Sequence, residues 1–177
     1  RLKEKYLKGI YTYPEWTEAA CSVLKPLIDR ETFERVIKNR PLVTGAKEVF
    51  EILRKSGVKT VVITGSFYQL AERAQEELGG IDRIYAHCKF IFNKDGSVKG
   101  WEINKTDYEH KADVIGEVCN DYGIIEKECA YIGDDANDVE AFKRVGLSIA
   151  FNSNKLKVKQ AAKVVIKSLD LTEILPH

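Results

Sequence analysis

Asp134, Asp135, Asn137 and Asp138 set three carboxylates and an amide within five residues, directly after the apolar pair Tyr131-Ile132 and a glycine. Carboxylates so close repel one another unless positive charge stands among them. A hard divalent cation with oxygen ligands meets that need, and Mg²⁺ suits a site that also uses phosphate oxygens. The alternative is a solvated turn capped by an Asp. An EF-hand is excluded. Counted from Asp134, the sixth residue is Val139 and the twelfth Val145, where that loop requires Gly and Glu.

A second candidate is Ile63-Thr64-Gly65-Ser66, a hydroxyl and a glycine following an apolar run. A helix starting at once would turn the N–H groups of Gly65 and Ser66 towards an anion, with Thr64 adding a hydroxyl. A plain strand-to-helix turn with a Ser cap fits the same letters. The third candidate is Lys111, preceded by His110 in the first turn of its helix. A cation there opposes the helix dipole and calls for a local anion. Taken alone, Lys111 reads more readily as a surface lysine.

Alternating helix and strand patterns must position these residues. Helix is expected over 47–55, 67–78, 110–122, 139–145 and 156–162, and strand over 60–63, 130–132, 147–151 and 164–166. Residues 88–103 read as a β-hairpin about Asp95-Gly96. Residues 1–40 show helical spacing without a strand signal, broken at Pro14 and Pro26. The expected architecture is α/β, a Rossmann-like parallel sheet core with helices on both faces over 41–177, plus a small helical cap over 1–40. In such a sheet ligands bind beyond the carboxyl ends of the strands, where Thr64 and the acidic loop both fall.

Composition narrows the function classes. Among 177 residues, 28 basic side chains against 27 acidic ones leave a formal net charge of +1, without the basic field a non-specific nucleic-acid or membrane-surface binder uses. A hydrophobic fraction of 44% is enough to build a core. No apolar run approaches a membrane span and nothing at the front reads as a signal peptide, so the expected partner is a small molecule in the cytoplasm. The four cysteines, Cys21, Cys88, Cys119 and Cys129, form no CxxC pair and read as reduced core residues.

The ordered trio of Thr64-Gly65, Lys111 and Gly133-Asp134-Asp135-Ala136-Asn137-Asp138 resembles the haloacid dehalogenase superfamily, and more closely its phosphoserine-phosphatase-like branch. The resemblance covers essentially the whole chain, with Gly133 to Asp138 its most specific part. It implies a Mg²⁺-dependent phosphomonoesterase acting on a small phosphorylated metabolite through an aspartyl-phosphate intermediate. It also implies roles. Thr64, Gly65, Lys111 and Asn137 would bind the phosphoryl group, Asp134 and Asp138 would serve the metal, Asp134 as ligand and Asp138 by supporting a metal water and Lys111, and Thr64, Lys111 and Asp138 would count as catalytic. Phosphoryl transfer asks for positive charge and positioning about three equatorial oxygens, which this set would supply.

Two features depart from that pattern. The DxDx[TV] motif carrying the family's nucleophile does not occur in these 177 residues, which contain no Met and open at Arg1. The expectation is a further segment of about 30–60 residues upstream, bearing the nucleophile and the central strand of the sheet. The branch also places an Arg on a cap helix to hold the substrate carboxylate, whereas Tyr13 to Lys25 contains none. Trp16 in that stretch reads as cap core or as a substrate platform. Rival readings are a phosphotransferase on the same scaffold, a catalytically silent Mg²⁺- or phosphate-binding module, and a plain α/β domain.

Overall fold

The computed structural model describes residues 2–104 and 111–177. His110 lies outside them. In chain order the elements are α1 (Leu2–Leu7), α2 (Tyr13–Leu24), α3 (Arg30–Lys38), α4 (Ala46–Lys55), β1 (Val61–Phe67), α5 (Tyr68–Leu78), β2 (Arg83–Phe92), β3 (Val98–Ile103), α6 (Lys111–Tyr122), β4 (Ala130–Gly133), α7 (Val139–Arg144), β5 (Leu147–Phe151), α8 (Leu156–Ala161) and β6 (Val164–Ile166). A short 3-10 turn, Ala136–Asp138, leads into α7. The chain divides into two compact units, one of residues 1–41 with 61–107, the other of residues 42–60 with 108–177.

In the first unit α2 begins at a capping box. The Thr12 hydroxyl accepts from the Glu15 N–H at 3.4 Å and the Glu15 carboxylate accepts from the Thr12 N–H at 2.8 Å. Asp29 caps α3 by accepting from the Thr32 N–H at 2.8 Å. The sheet runs β1-β2-β3, and β2 serves two partners. Its first half pairs parallel with β1, from Val61 opposite Arg83 to Thr64 opposite Ala86. Its second half forms the expected antiparallel hairpin with β3, from Cys88 opposite Ile103 to Phe92 opposite Val98. Phe33 of α3 packs edge-on against Phe67 and Phe90, at 5.3 and 5.1 Å between ring centroids. Such edge contacts add about 0.5–1.5 kcal/mol each beyond area burial. Cys21, Ile37, Cys88 and Val98 complete this core.

Trp16 belongs to an aromatic group in the same unit, 5.8 Å from Tyr6 and 5.3 Å from Tyr13. The Tyr13 ring also lies 4.8 Å from that of His87, a buried residue hydrogen-bonded to Thr17 Oγ1 at 2.9 Å.

The second unit holds an all-parallel sheet, β4-β5-β6, with Ala130 opposite Leu147 and Ile149 opposite Val164. Val139 and Phe142 of α7 pack on Ala150 and on Val158 of α8. On α6 the residues Val114, Ile115, Val118 and Cys119 are buried, the face its spacing predicts.

The fold is thus mixed α/β with parallel pairing and helices, as expected, but two details differ from the sequence reading. The first strand runs on to Phe67 instead of ending near Ile63. The sheet also occurs as two three-stranded sheets, and among the described residues β1 pairs only with β2 and β4 only with β5. Backbone donors and acceptors along the other edges of β1 and β4 find no strand partner among those residues.

Candidate functional site

The acidic loop is organised around Asp138, which is 2% exposed. Its Oδ1 accepts from Lys111 Nζ at 2.8 Å and from the Tyr131 hydroxyl at 2.9 Å. Its Oδ2 accepts from the backbone N–H groups of Asp134 and Asp135, at 2.9 and 3.0 Å. Each donor arrives from a different place for a plain reason. Lys111 is the first residue of α6, Tyr131 sits on β4, and the two N–H groups turn inward where the chain leaves that strand. Gly133 permits the turn, because a Cβ there would lie 2.5 Å from the Asp138 carboxyl carbon. Space, rather than backbone torsion, demands glycine at this position.

This accounts for Lys111 at a helix N-terminus, where its charge opposes the dipole. Lys111 is 9% exposed, and its ammonium is paired with a carboxylate held in place by three other donors. A buried pair so anchored adds little net stability, but it fixes the direction in which the cation points. The Tyr131 hydroxyl is pushed well above its ordinary range, by burial first and by the neighbouring Asp138 carboxylate second, so it remains a donor.

Asp134 differs from Asp138. It is open to solvent on one side, and desolvation on the other side is the main cause that raises its carboxyl above the usual range. The carboxylates of Asp138 and Asp135 add to that rise, while Lys111 and Lys155 oppose it. Its negative charge is therefore under-compensated. Asn137 supplies a second sign of the same kind, since its buried Oδ1 has no hydrogen-bond partner. Both groups fit a cation with oxygen-rich surroundings. Among the described residues no three His, Cys, Asp or Glu side chains converge to cage an ion alone. Mg²⁺ keeps several waters and substrate oxygens in its shell, so one protein carboxylate here is compatible with it. Asp138, expected to support a metal water and Lys111, accepts in this arrangement from four protein donors, Lys111 among them.

Sequence reasoning passed over two supports of the loop. Ser153 Oγ donates to the Asp134 carbonyl at 2.6 Å, and Lys155 forms an ion pair with Asp135. Both follow β5, the parallel neighbour of β4. Loops at the carboxyl ends of adjacent parallel strands lie side by side, and that rule would have pointed to them.

Thr64 and Gly65 belong to the other unit. They lie within β1 at a bulge, where the register with β2 slips between Thr64 and Phe67. The expectation that Gly65 and Ser66 open a helix is corrected: α5 starts at Tyr68, because the bulge carries the strand three residues further. Thr64 Oγ1 accepts from the Ser66 N–H at 3.1 Å, and the Tyr13 hydroxyl donates to the Gly65 carbonyl at 2.9 Å. The structure thus brings Lys111, Asp134, Asn137 and Asp138 into one loop cluster, and sets Thr64 and Gly65 in a hydrogen-bonded bulge.

A protein-family model for haloacid dehalogenase-like hydrolases matches residues 5–146. The phosphoserine phosphatase of Archaeoglobus fulgidus is 33% identical over 158 residues, covering 88% of this chain and 44% of that protein. The phosphoserine phosphatase of Methanocaldococcus jannaschii is 29% identical over 178 residues, covering 100% of this chain and 82% of that protein. The chain therefore spans less than half the length of the first relative and about four fifths of the second. Among solved structures, a phosphoserine phosphatase with a phospho-aspartyl intermediate analogue superposes with a TM-score of 0.81 at 28% identity, over 99% of this chain and 82% of the other. A substrate-bound phosphoserine phosphatase complex gives a TM-score of 0.80 at 29% identity, over 99% and 81%.

Proposed function

The chain belongs to the haloacid dehalogenase-like hydrolases, and from that premise we propose that it serves a Mg²⁺-dependent phosphomonoesterase, acting on a small phosphorylated metabolite through an aspartyl-phosphate intermediate. The observation that carries the reading is the buried Lys111–Asp138 pair at 2.8 Å, set beside the under-compensated carboxylate of Asp134. Phosphoryl transfer needs fixed positive charge more than acid–base chemistry. Lys111 would place its ammonium against the phosphoryl oxygens, held there by Asp138. Asp134 would hold Mg²⁺, which when bound supplies Lewis-acid neutralisation of phosphoryl charge. Asn137, Thr64 and Gly65 would orient the phosphate. The reading includes a cap over residues 1–40 and a hydrolase core over 41–177. The DxDx[TV] motif that carries the family's attacking aspartate does not occur in these 177 residues.

Phosphoserine is the first substrate to try, because both relatives above carry that name. The absence of Arg from Tyr13 to Lys25 argues for testing other phosphomonoesters beside it. The test is phosphate release by the full-length protein with Mg²⁺ and with chelator. Lys111→Ala and Asp134→Asn should each lower kcat by about 10²–10³-fold while far-UV circular dichroism stays native. Undiminished turnover in either variant would remove the mechanism.

A further inference from the structure

The four cysteines, scattered in sequence, meet in two pairs. Cys21 and Cys88 stand 3.7 Å apart between their sulfurs, and Cys119 and Cys129 stand 3.5 Å apart. The separations are similar, but access is not. Cys21 and Cys88 are 1% and 2% exposed in the core of the first unit, whereas Cys129 is partly open to solvent.

The second pair is held face to face by its backbone. Cys119 lies within α6, and its carbonyl accepts from the Ile124 N–H at 3.0 Å. The Cys129 N–H donates to the Glu126 carbonyl at 3.1 Å, and its carbonyl accepts from Gly146 and Leu147 at 3.0 and 3.1 Å. Closing the sulfurs from 3.5 Å to bonding distance takes a movement of about 1.5 Å, which side-chain rotation can supply.

We propose that Cys119 and Cys129 are a site of reversible covalent modification, a dithiol that a small-molecule disulfide closes to an intramolecular bond, while Cys21 and Cys88 stay reduced in the folded protein. The Cys129 thiolate attacks one sulfur of the reagent disulfide and expels one reagent thiolate. The Cys119 thiol, giving up its proton, then attacks the Cys129 sulfur of the mixed disulfide and expels the second. Two protein thiols are oxidised by two electrons in all, and one reagent disulfide is reduced to two thiols that carry away both protons. The bond ties α6, which begins at Lys111, to the segment entering β4, which ends at Gly133.

Burial first, then the Cys119 thiol and the carboxylates of Glu126 and Glu128, push the Cys129 thiol up to about 11. Arg144 of α7 bonds Glu126 at 2.9 Å and offsets part of that acidic field. Thiolate is therefore scarce at neutral pH, and closure should quicken by nearly tenfold for each unit from about pH 7 to 10.

The test incubates folded full-length protein with excess oxidised glutathione. The expected product has lost two hydrogen masses, maps to one Cys119–Cys129 peptide, and melts about 5 °C higher until dithiothreitol reverses it. Cys129→Ser should abolish both changes, and Cys119→Ala should keep a stable glutathione adduct on Cys129. A lasting adduct on the unsubstituted protein, a cross-link through other cysteines, or failure to oxidise when folded despite ready oxidation in denaturant would each overturn the proposal. The mass measurement needs no variant to fold, and its outcome is independent of phosphatase activity.

Discussion

Asp138 concentrates the chemistry of the acidic loop at the scale of a single residue. An ammonium, a phenol and two backbone N–H groups all donate to it, two to each carboxyl oxygen. Asp138→Asn is nearly isosteric, yet either orientation of the amide sets an N–H group against two donors. Breaking a buried pair in this way costs about 3–5 kcal/mol. The melting temperature should therefore fall by about 10 °C, with kcat falling as Lys111 loses its anchor. Tyr131→Phe removes one donor of four and should cost about 1 kcal/mol, a few degrees by calorimetry. Equal, negligible losses in both variants would mean that Asp138 does not organise the loop.

The capping residues act at the scale of elements, and they tie stability to pH. The Asp29 carboxyl at the start of α3 is held below its ordinary value, first by the backbone N–H of Thr32 and then by the Thr32 side chain. A lowered carboxyl contributes stability above its unfolded value and loses it as pH falls through the lowered one. Asp95, in the hairpin turn, is lowered first by the Ser97 hydroxyl and then by the Ser97 N–H, and Asp170 first by the Thr172 N–H and then by its hydroxyl. Asn caps a helix about as well as Asp but does not titrate. Asp29→Asn should match the parent near neutrality and lose melting temperature less steeply from about pH 5 to 2. An unchanged slope in that range would show that the cap carries none of the acid sensitivity.

At the scale of the whole molecule the two units have separate cores, and the residues proposed for the cation all lie in the second. A ligand that binds only the folded state stabilises it by about 2.7 kcal/mol at one hundred times its dissociation constant. Added Mg²⁺ should raise the melting temperature of the protein by about 5–10 °C at that excess, and Asp134→Asn should abolish the shift. A shift that survives Asp134→Asn would place the cation elsewhere. No helix among the described residues is long and apolar enough to cross a membrane.

Local and periodic features were legible in the amino-acid sequence alone. Apolar spacing and glycine stops placed each described α-helix and strand of the second unit to within a residue or two, and the Asp-Gly turn placed the hairpin of the first, because these depend on near neighbours along the chain. The crowding of Asp134, Asp135 and Asp138 was legible for the same reason, as was the call for an anion beside Lys111. What joins distant residues was not. That Tyr131 and Ser153 brace the loop, that β1 bulges past Thr64, and that four solitary cysteines stand as two pairs all depend on the packing of elements separated in sequence. Spacing records the period of an element but not the partner it packs against, and only tertiary structure decides which side chains share a buried volume.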